Sequence, residues 1–207
     1  MPDARTHGLL LEGEGLTKSF GALVVLDGID FSVSAGEAVG VVGPNGAGKT
    51  TLLSLLVGAH APSSGRVRFL GEDVTLEPTA ERCRRGLART HQIPKPFSGM
   101  TVFENIFTAA AHGAGLERER AYEATIESLA LTGMTAVANR RAETLGLIDR
   151  KRLELARALA TDPAVLLLDE IGGGLTDAEA NELVDIILEL KARGAHDASC
   201  GRPARRN

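Results

Sequence analysis

The sequence predicts an α/β protein with a β-rich N-terminal part, a parallel-sheet core and an inserted α-helical subdomain. Short apolar runs separated by turn residues occupy residues 9–42, which is typical of strands. A glycine-rich loop then leads into an apolar helical pattern, as in a strand–loop–helix unit. Residues 100–159 have a helical character, and another buried-strand pattern follows them. With 207 residues, the chain is long enough for one such domain and a subdomain within it.

The composition is that of an ordinary globular protein with a small net charge. The formal net charge is -4 and the isoelectric point is about 5.8, which gives no electrostatic reason to expect a nucleic-acid partner. Cys83 and Cys200 lie far apart and form no C-x-x-C pair, so we expect a reduced, intracellular protein. Residues 1–15 lack the apolar region of a signal peptide, and no apolar run is long enough to span a bilayer. We therefore expect any membrane contact to come through a partner.

The first 42 residues contain four apolar runs that we predict to be strands. They are Leu9–Leu11, Val24–Leu26, Ile29–Val33 and Ala38–Val42, and Asp27–Gly28 is predicted to be a turn between the second and the third. The fourth run is rich in valine, which is typical of a buried parallel strand.

The fourth run leads into a loop that fits the pattern G-x-x-x-x-G-K-[ST] at every fixed position. Glycines let a backbone wrap closely around phosphate oxygens, and the successive N–H groups then point inward at the anion. The next helix presents the positive end of its dipole to the same anion. In such a loop Lys49 reaches the β- and γ-phosphates, and the hydroxyl of Thr50 is a ligand for Mg²⁺. We therefore predict a phosphate loop that is made of Gly43, Pro44, Asn45, Gly46, Ala47, Gly48, Lys49, Thr50 and Thr51.

Phe20 is an aromatic residue early in the β-rich region, and it directly precedes Gly21. Two interpretations stay open for it. Its ring stacks on the adenine of the nucleotide, or it is an ordinary core phenylalanine.

A second motif carries the acidic groups that a phosphate site needs. The apolar run Ala164–Leu168 is predicted to be a buried strand, and it ends in Asp169 and Glu170. In open α/β sheets, ligands bind beyond the carboxyl ends of the strands, so both carboxylates are expected to face the bound phosphates. We assign Asp169 to the Mg²⁺ shell and Glu170 to the polarisation of the attacking water as general base.

Between these two motifs, strand and helix patterns alternate and then give way to helices. Strands are expected at Arg66–Leu70 and Leu87–Thr90, on either side of a short helix at Thr79–Arg85. Thr101 is expected to cap the first helix of the inserted block, with Glu104 as its capping-box partner. Further amphipathic helices are expected at Glu117–Leu131, Asp149–Ala160 and Ala178–Arg193.

Together these motifs resemble the ATP-binding subunit of ABC transporters, over residues 9–194. Phe31–Thr51 is similar to the family's strand and Walker A region, and Asp169–Glu170 to the end of its Walker B strand. Gln92 resembles the Q-loop glutamine, which in the family contacts Mg²⁺ and water and couples to the membrane subunit. Gly173–Asp177 resembles the D-loop, which crosses between two ATPase subunits. The resemblance implies a phosphate-loop NTPase fold of the ABC ATPase type, with ATP and Mg²⁺ as its cofactors.

Finer features resemble the importers of branched-chain amino acids and related compounds, of the LivG type. They are Arg89–Gln92, Gly99–Asn105 and Lys151–Leu159. The resemblance implies a second ABC ATPase subunit as partner, identical or different, and transmembrane permease subunits. These would hold the chain as a peripheral protein at the cytoplasmic face of the inner or plasma membrane.

The resemblance also implies a division of the chain. We expect the nucleotide-binding core at residues 9–95 and 160–193, and the α-helical subdomain at residues 96–159. The family's signature, LSGGQ or LSYGEQ, is replaced by Leu145–Asp149 within that subdomain. Gly146 lacks the serine hydroxyl that in the family grips the γ-phosphate on the partner subunit, and Leu147 and Ile148 add bulk. We expect a weakened site there, which fits a heterodimer with one strong and one weak site.

The second departure from the family lies at the C-terminus. The family continues with an apolar strand that ends in a switch histidine. Residues 194–207 contain no apolar run of strand length and are rich in Arg, Gly, Ala and Pro, so we expect a disordered tail. His196 with Asp197 imitates the family's His–Asp pair, but we interpret it as coincidental. A truncation by a change of reading frame near Gly194 is our hypothesis for this end.

Three functions follow, in order of preference. The first is an ATP-hydrolysing subunit that energises an ABC importer. The second is a nucleotide-binding module, or a truncated gene product, with little or no ATP turnover. The third is a GTPase or small-molecule kinase with a phosphate loop, which ranks last because no N-K-x-D run is present to read guanine.

Overall fold

A computed structural model of the chain describes residues 8–197, and their side chains as far as Ala192. In chain order its helices and strands are β1 (Leu9–Phe20), β2 (Leu23–Ser34), α1 (Lys49–Leu56), β3 (Ser64–Phe69), β4 (Glu72–Asp73), α2 (Thr79–Arg84), β5 (Leu87–Arg89), α3 (Val102–Thr108), α4 (Arg118–Leu131), α5 (Leu147–Leu159), β6 (Val165–Leu167) and α6 (Asp177–Asp197). Short 3₁₀ turns at Thr135–Val137 and Ala142–Thr144 lead into α5, and a π-helical turn at Ala109–Gly113 extends α3.

The N-terminal part forms a four-stranded antiparallel sheet with the order β2–β1–β3–β4. β1 and β2 are 12 residues long and form a hairpin in which Phe20 pairs with Leu23. β3 pairs with the other edge of β1, and Val67 and Phe69 point from it into the core with no exposed surface. The predicted β-rich start of the chain is therefore present, with longer strands than the apolar runs alone suggested.

The predicted turn at Asp27–Gly28 is wrong, because both residues lie inside β2. The pairing with β1 shifts its register here, where Leu16 faces Ile29 and Lys18 faces Leu26. Gly28 has a φ of 61° and accommodates this bulge, since glycine adopts positive φ without a steric penalty.

β5 and β6 form a separate parallel sheet of two strands, in which Ala88 pairs with Leu166. The strands predicted at Leu87–Thr90 and Ala164–Leu168 are thus present. The strand predicted at Ala38–Val42 is wrong, because none of the strands described between residues 8 and 197 pairs with this run. Val42 is 96% exposed. A valine-rich segment becomes a buried strand only when a neighbour takes up its backbone hydrogen bonds, and this run has no such neighbour in the described part of the chain.

Two apolar clusters organise the interior. The first lies between the antiparallel sheet, α1 and the parallel pair, and consists of Leu11, Leu16, Leu26, Leu52, Leu53, Leu55, Leu56, Val57, Val67, Phe69, Val74, Leu87, Val165 and Leu167. Burial of its leucine face in this cluster therefore fixes α1 between the two sheets. The direction of α1 in turn sets the position of the loop before it.

The second cluster lies among the helices of the inserted block and is formed by Val102, Ile106, Ala110, Ala121, Leu129, Met134, Ala142, Leu145, Leu153, Ala156 and Ala160. The predicted capping box starts this block: the Thr101 hydroxyl accepts from Glu104 N–H, and the Glu104 carboxylate accepts from Thr101 N–H. The predicted helices Thr79–Arg85, Glu117–Leu131 and Asp149–Ala160 correspond to α2, α4 and α5.

The last helix is longer than expected. α6 runs through residues 194–197, so the predicted start of a disordered tail at Gly194 is wrong for these four residues. Glycine inside a helix costs about 1 kcal/mol relative to alanine, which a helix of 21 residues tolerates. The rest of the predicted tail, residues 198–207, lies outside the described residues, as do Cys200 and the side chain of His196. Within residues 8–197, none of the helices combines the length and the apolar character that a bilayer crossing requires.

Candidate nucleotide-binding site

A cavity of about 350 Å³ lies between the loop that precedes α1 and the carboxyl ends of β5 and β6. This volume is in the range of small-molecule sites. Its lining residues come from three separate stretches of the chain that the sequence motifs had singled out, with one addition from β2. They are Val25, Asn45, Gly46, Gly48, Lys49, Thr50, Thr51, Gln92 and Glu170.

Two glycines give the loop its path. Gly46 and Gly48 have φ angles of 83° and 85°, in the left-handed region that favours glycine. A Cβ on Gly48 would also lie 2.8 Å from Leu26 Cδ2 and 3.0 Å from the Val25 carbonyl oxygen. The loop therefore lies directly against β2, and Gly48 is the N-cap of α1. The first N–H groups of α1 consequently open into the cavity, as an anion site at a helix N-terminus requires.

Lys49 is the first residue of α1, and its ammonium group returns over the loop. Lys49 Nζ donates to the carbonyl oxygens of Gly43 (2.7 Å) and Pro44 (2.9 Å). The positive charge is thus held over the loop, and Lys49 lines the cavity. Pro44, Gly43 and Ala47 do not themselves line the cavity.

Asp169 lies at the end of β6 and is 3% exposed. Its Oδ1 accepts a hydrogen bond from Thr50 Oγ1 at 3.3 Å, and its Oδ2 accepts from Arg89 Nη2 at 2.7 Å. The Asp169 backbone N–H donates to the Thr90 hydroxyl at 3.3 Å. Thr50 and Asp169, two of the three residues assigned to Mg²⁺ from the sequence, are therefore side by side, although 119 positions separate them in the chain. The third, Gln92, contacts Glu170 instead.

Oxygen donors of this kind suit Mg²⁺. A hydroxyl and one carboxylate match the preference of Mg²⁺ for one or two protein oxygens, with phosphate oxygens and waters as the other ligands. Across residues 8–197, no cluster of three or more His, Cys, Asp or Glu side chains is arranged to hold a metal without such help. The residues present thus fit a Mg²⁺ that is brought in with a nucleotide.

Glu170 and Gln92 meet on the opposite wall of the cavity. Gln92 Nε2 donates to Glu170 Oε2. Glu170 has a φ of 44°, an uncommon conformation for a residue with a side chain, which turns its carboxylate away from the direction of the strand. Backbone strain at a group in a cleft is a frequent feature of functional sites.

Lys151 connects this wall of the cavity to α5. It belongs to α5 and is 5% exposed, and its Nζ donates to the carbonyl oxygens of Gln92 (2.9 Å) and Glu170 (3.3 Å). Burial lowers the pKa of the Lys151 ammonium group, and the nearby carboxylates of Glu170, Asp169 and Glu154 partly oppose that shift. The inserted helices are thereby connected to the nucleotide cavity.

The segment that replaces the family signature lies at the start of α5. Gly146 is the N-cap of α5 and offers no side-chain hydrogen bond to the first turn. Leu147 is 46% exposed and reaches within 3.4 Å of where a Cβ on Gly174 would lie. The departure identified in the sequence is therefore an exposed leucine at a helix start, beside the predicted D-loop.

Phe20 does not line the cavity. Its ring is 47% exposed, packs edge-on against His60 at 5.8 Å, and lies 5.1 Å from Lys18 Nζ. The interpretation of Phe20 as a core residue is wrong, since its side chain is exposed next to the turn that joins β1 to β2. Adenine stacking by Phe20 stays a prediction.

Arg89 and Lys151 received no role from the sequence, although Arg89 contacts the predicted metal ligand Asp169 and Lys151 contacts the backbone of both predicted catalytic residues. Signals for both were present. Arg89 is a charged residue at the end of an apolar strand, where a side chain is rarely buried without a partner. Lys151 is four residues before Leu155, so helical periodicity places it on the buried face of α5.

Comparisons with known proteins agree with this geometry. Residues 26–172 match the protein family described as ABC transporter. The high-affinity branched-chain amino acid transport ATP-binding protein BraF of Pseudomonas aeruginosa is 36% identical over 198 residues, which cover 88% of this chain and 77% of BraF. LivG of Escherichia coli, which has the same description, is 34% identical over 196 residues, which cover 88% of this chain and 77% of LivG. The lipopolysaccharide export system ATP-binding protein LptB of Haemophilus influenzae is 32% identical over 185 residues, with 89% and 77% covered.

Solved structures lead to the same class. A crystal structure of a nucleotide-free ATP-binding cassette from an ABC transporter has a TM-score of 0.80 and 32% identity, covering 90% of this chain and 78% of that one. The ADP conformation of an ATP-binding cassette gives the same TM-score of 0.80 at 32% identity. The chain belongs to the ABC transporter family. It is an ATP-hydrolysing subunit of a transporter, related to the branched-chain amino acid type, and the predicted ABC ATPase fold is confirmed.

Proposed function

We propose that this chain binds Mg·ATP in the cavity before α1 and hydrolyses it to energise an importer of branched-chain amino acids or related compounds. The observation that carries the proposal is that Lys49, Thr50, Glu170 and Gln92 line one cavity of about 350 Å³. Asp169 does not line it, but its carboxylate accepts a hydrogen bond from the Thr50 hydroxyl. These side chains come from separate segments and supply a cation, a hydroxyl, two carboxylates and an amide. Phosphoryl transfer to water needs such a set.

Binding follows from the loop and from α1. The N–H groups of the loop and of the first turn of α1 take up the β- and γ-phosphate oxygens, and Lys49 neutralises their charge. For this the Lys49 ammonium exchanges its contacts with Gly43 and Pro44 for phosphate oxygens. Thr50 and Asp169 would hold Mg²⁺, which would supply charge neutralisation for the bound phosphates.

Hydrolysis requires an oriented water. The Glu170 carboxylate takes a proton from water as the water oxygen forms its bond to the γ-phosphorus. The bond from the γ-phosphorus to the bridging oxygen breaks, and that oxygen leaves with the electron pair as part of ADP. Gln92, which donates to Glu170 Oε2, fixes the direction of the carboxylate and contributes to positioning the water.

Transport requires partners. In this proposal a second ABC ATPase subunit, identical or different, closes over the nucleotide, and transmembrane permease subunits hold both at the cytoplasmic face of the membrane. The solute class rests on the relatives BraF and LivG, which are named as branched-chain amino acid transport proteins and are 36% and 34% identical. LptB, named for lipopolysaccharide export, is 32% identical.

A second candidate function is nucleotide binding with little turnover. One observation favours it: α5 begins with Gly146 and the exposed Leu147, without a hydroxyl that could grip a γ-phosphate on a partner subunit. In a heterodimer, the site completed by this segment would then be the weaker one of two.

ATP hydrolysis by the purified chain tests the proposal, alone and mixed with a candidate partner ATPase. Lys49→Ala is expected to remove nucleotide binding. Glu170→Gln is expected to retain binding and to lower kcat by about 10²- to 10⁴-fold, the usual contribution of a general base. Glu182→Gln is a matched control, because this half-exposed carboxylate pairs with Arg152 and does not line the cavity.

Two results would decide between the candidates. Turnover that both Lys49→Ala and Glu170→Gln remove supports the transporter ATPase. Tight binding of ATP without turnover in any mixture supports the binding module. Loss of leucine uptake in cells that lack the chain, restored by the wild type and not by Glu170→Gln, would support the solute class.

A further inference from the structure

We propose that Arg89 is a positioning residue for the Mg²⁺ site, and that it holds the Asp169 carboxylate in the orientation which presents Oδ1 to the metal. This inference rests on the proposed Mg·ATP function. The experiment measures metal binding separately from nucleotide binding. The inference and the proposed function can therefore be contradicted independently of each other.

The contact itself is short and protected from water. Arg89 Nη2 donates to Asp169 Oδ2 at 2.7 Å, and the two side chains are 12% and 3% exposed. Such buried, charge-assisted hydrogen bonds are much less screened than surface ion pairs. The guanidinium occupies Oδ2 only. Oδ1 faces the Thr50 hydroxyl, 3.3 Å away, and therefore the proposed position of the metal.

A second contact anchors the guanidinium from α1. Arg89 Nη1 donates to Ser54 Oγ at 2.9 Å, and Ser54 Oγ in turn donates to the Thr50 carbonyl oxygen at 2.7 Å. Arg89 thus connects the carboxyl ends of β5 and β6 to the helix that carries Thr50. Both proposed metal ligands, Thr50 and Asp169, are held through this one side chain.

The geometry requires arginine in particular. Its planar fork spans Asp169 on one terminal nitrogen and Ser54 on the other, whereas a lysine ammonium is a single point with no fixed second arm. Arg89 Nε is buried and has no hydrogen-bond partner among the described residues, so the terminal nitrogens carry the anchoring. An arginine buried at this cost is consistent with a role beyond packing.

The charge of Arg89 and its geometry predict opposite effects of its removal on metal affinity, which makes the inference testable. As a bare cation, Arg89 would repel Mg²⁺, and its removal would tighten metal binding. As a positioning group, it fixes a ligand in place, and removal of such an outer partner typically weakens metal binding by about 10- to 100-fold. We expect the second effect to dominate, because Asp169 has no other side-chain donor besides Thr50 among the described contacts.

The experiment measures binding of Mn²⁺ to the ADP-saturated full chain, from the loss of the free-ion signal in electron paramagnetic resonance. Mn²⁺ is a suitable probe because it prefers the same oxygen ligands as Mg²⁺. Arg89→Gln is expected to raise the Mn²⁺ dissociation constant by about 10- to 100-fold. Arg89→Lys is expected to recover only part of that loss, and Ser54→Ala to cause a smaller loss than Arg89→Gln.

A matched control is Arg157→Gln. Arg157 also forms a partly buried ion pair, with Glu154 at 2.9 Å and side chains 20% and 6% exposed, but it contacts neither proposed metal ligand. It should leave Mn²⁺ affinity unchanged. Binding of fluorescent ADP in the presence of EDTA, together with the melting temperature, shows whether each variant keeps its phosphate loop folded.

Each outcome bears on the inference. Weaker Mn²⁺ binding by Arg89→Gln with ADP affinity in EDTA preserved supports it. Unchanged or tighter Mn²⁺ binding by Arg89→Gln overturns it and leaves the Mg·ATP proposal intact. Equal loss of metal binding and of metal-free ADP binding assigns Arg89 to folding and also overturns it. A wild-type chain that binds ADP but no Mn²⁺ overturns both the inference and the proposed metal site.

Discussion

Gly48 shows how a single residue shapes the site, because it lies in the predicted phosphate loop and is the N-cap of α1. Its φ is 85°, and Leu26 Cδ2 lies 2.8 Å from the position that a Cβ would occupy, which leaves no room for a side chain. Backbone strain and steric overlap therefore act together at this one position. We expect Gly48→Ala to destabilise the fold by about 1–3 kcal/mol and to weaken ATP binding, measured by urea unfolding and by fluorescent-nucleotide titration.

The variant Gly28→Ala separates the effect of backbone strain from that of steric overlap. Gly28 also has a positive φ, of 61°, but nothing lies within 4 Å of where its Cβ would be. This variant should lose about 1–2 kcal/mol from strain alone and keep its affinity for ATP. Equal nucleotide affinities for Gly48→Ala and wild type would contradict the predicted role of Gly48.

The positions of candidate site residues could be predicted where local spacing determines them. Lys49 and Thr50 follow from the spacing of one loop, and Asp169 and Glu170 from the end of one apolar run. The contact of Arg89 with Asp169 spans 80 positions and depends on which strand lies beside which. The position of Arg89 at the end of an apolar strand signals that it has a partner, but no local pattern identifies Asp169 as that partner.

Among the elements, α1 depends on a buried arginine at its C-terminal end. Arg82, 1% exposed, donates from Nη1 to the carbonyl oxygens of Leu55 (2.9 Å) and Leu56 (2.6 Å). It also donates to the carbonyl oxygens of Thr75 (2.9 Å) and Glu77 (3.1 Å). A cation at this end of a helix also complements the helix dipole.

We expect Arg82→Gln to lower the free energy of unfolding by about 3–5 kcal/mol, because several buried carbonyl oxygens lose their donor. Chemical denaturation measures the change. Arg120→Gln is the control: Arg120 pairs with Glu123 on the surface, with side chains 77% and 67% exposed, and such pairs contribute less than about 1 kcal/mol. Similar losses for the two variants would contradict the structural role of Arg82.

Two helices begin with a threonine–glutamate pair, and this makes their stability depend on pH. Hydrogen bonds from the Thr101 N–H and hydroxyl lower the pKa of Glu104 below its ordinary value of 4.5, and Thr176 acts likewise on Glu179. A carboxyl whose pKa is lower in the folded state stabilises fully above its unfolded pKa. That stability is lost as the pH falls through the folded pKa.

The melting temperature should therefore be lower for Glu104→Gln than for wild type at pH 7, and the difference should shrink as the pH falls below 4.5. Glu179→Gln should behave in the same way at the start of α6. Thermal unfolding followed by circular dichroism across the acidic range up to neutral pH measures both. A difference between Glu104→Gln and wild type that is constant over this range would exclude the proposed hydrogen bonds as its cause.

Helices were the elements that the sequence predicted best. Capping and apolar periodicity act over a few residues, and the Thr101–Glu104 box is present as expected. Strands were predicted less well because a strand depends on distant partners. Asp27–Gly28 is a bulge and not a turn, since a glycine at positive φ serves either geometry equally well.

On the scale of the whole molecule, the run Ala38–Val42 is the clearest consequence of that dependence. Valine content alone indicated a buried strand, yet no described strand pairs with it, and Val39, Val41 and Val42 are 43%, 38% and 96% exposed. Among the described strands, β5 and β6 pair only with each other, so each has one unpaired edge. An exposed apolar segment of high β-propensity is a site for association between chains.

We expect Val42→Lys to reduce self-association of the purified chain without changing its melting temperature, because the valine side chain is almost fully exposed. Light scattering during incubation at a constant temperature below the melting transition measures the association. Leu76→Lys is the control, since Leu76 is 86% exposed but stands outside any valine run. Equal improvement by both substitutions would indicate a general effect of charge and not the run Ala38–Val42.

Lys151 connects the inserted helices directly to the candidate nucleotide cavity. Its Nζ reaches the carbonyl oxygens of Gln92 and Glu170, which follow β5 and β6, while its backbone belongs to the helix that starts at Leu147. A displacement of α5 by one hydrogen-bond length breaks or tightens both contacts at once. Glu170, the proposed general base, and Gln92 beside it therefore respond as a pair to any force that a neighbouring molecule applies at the start of α5.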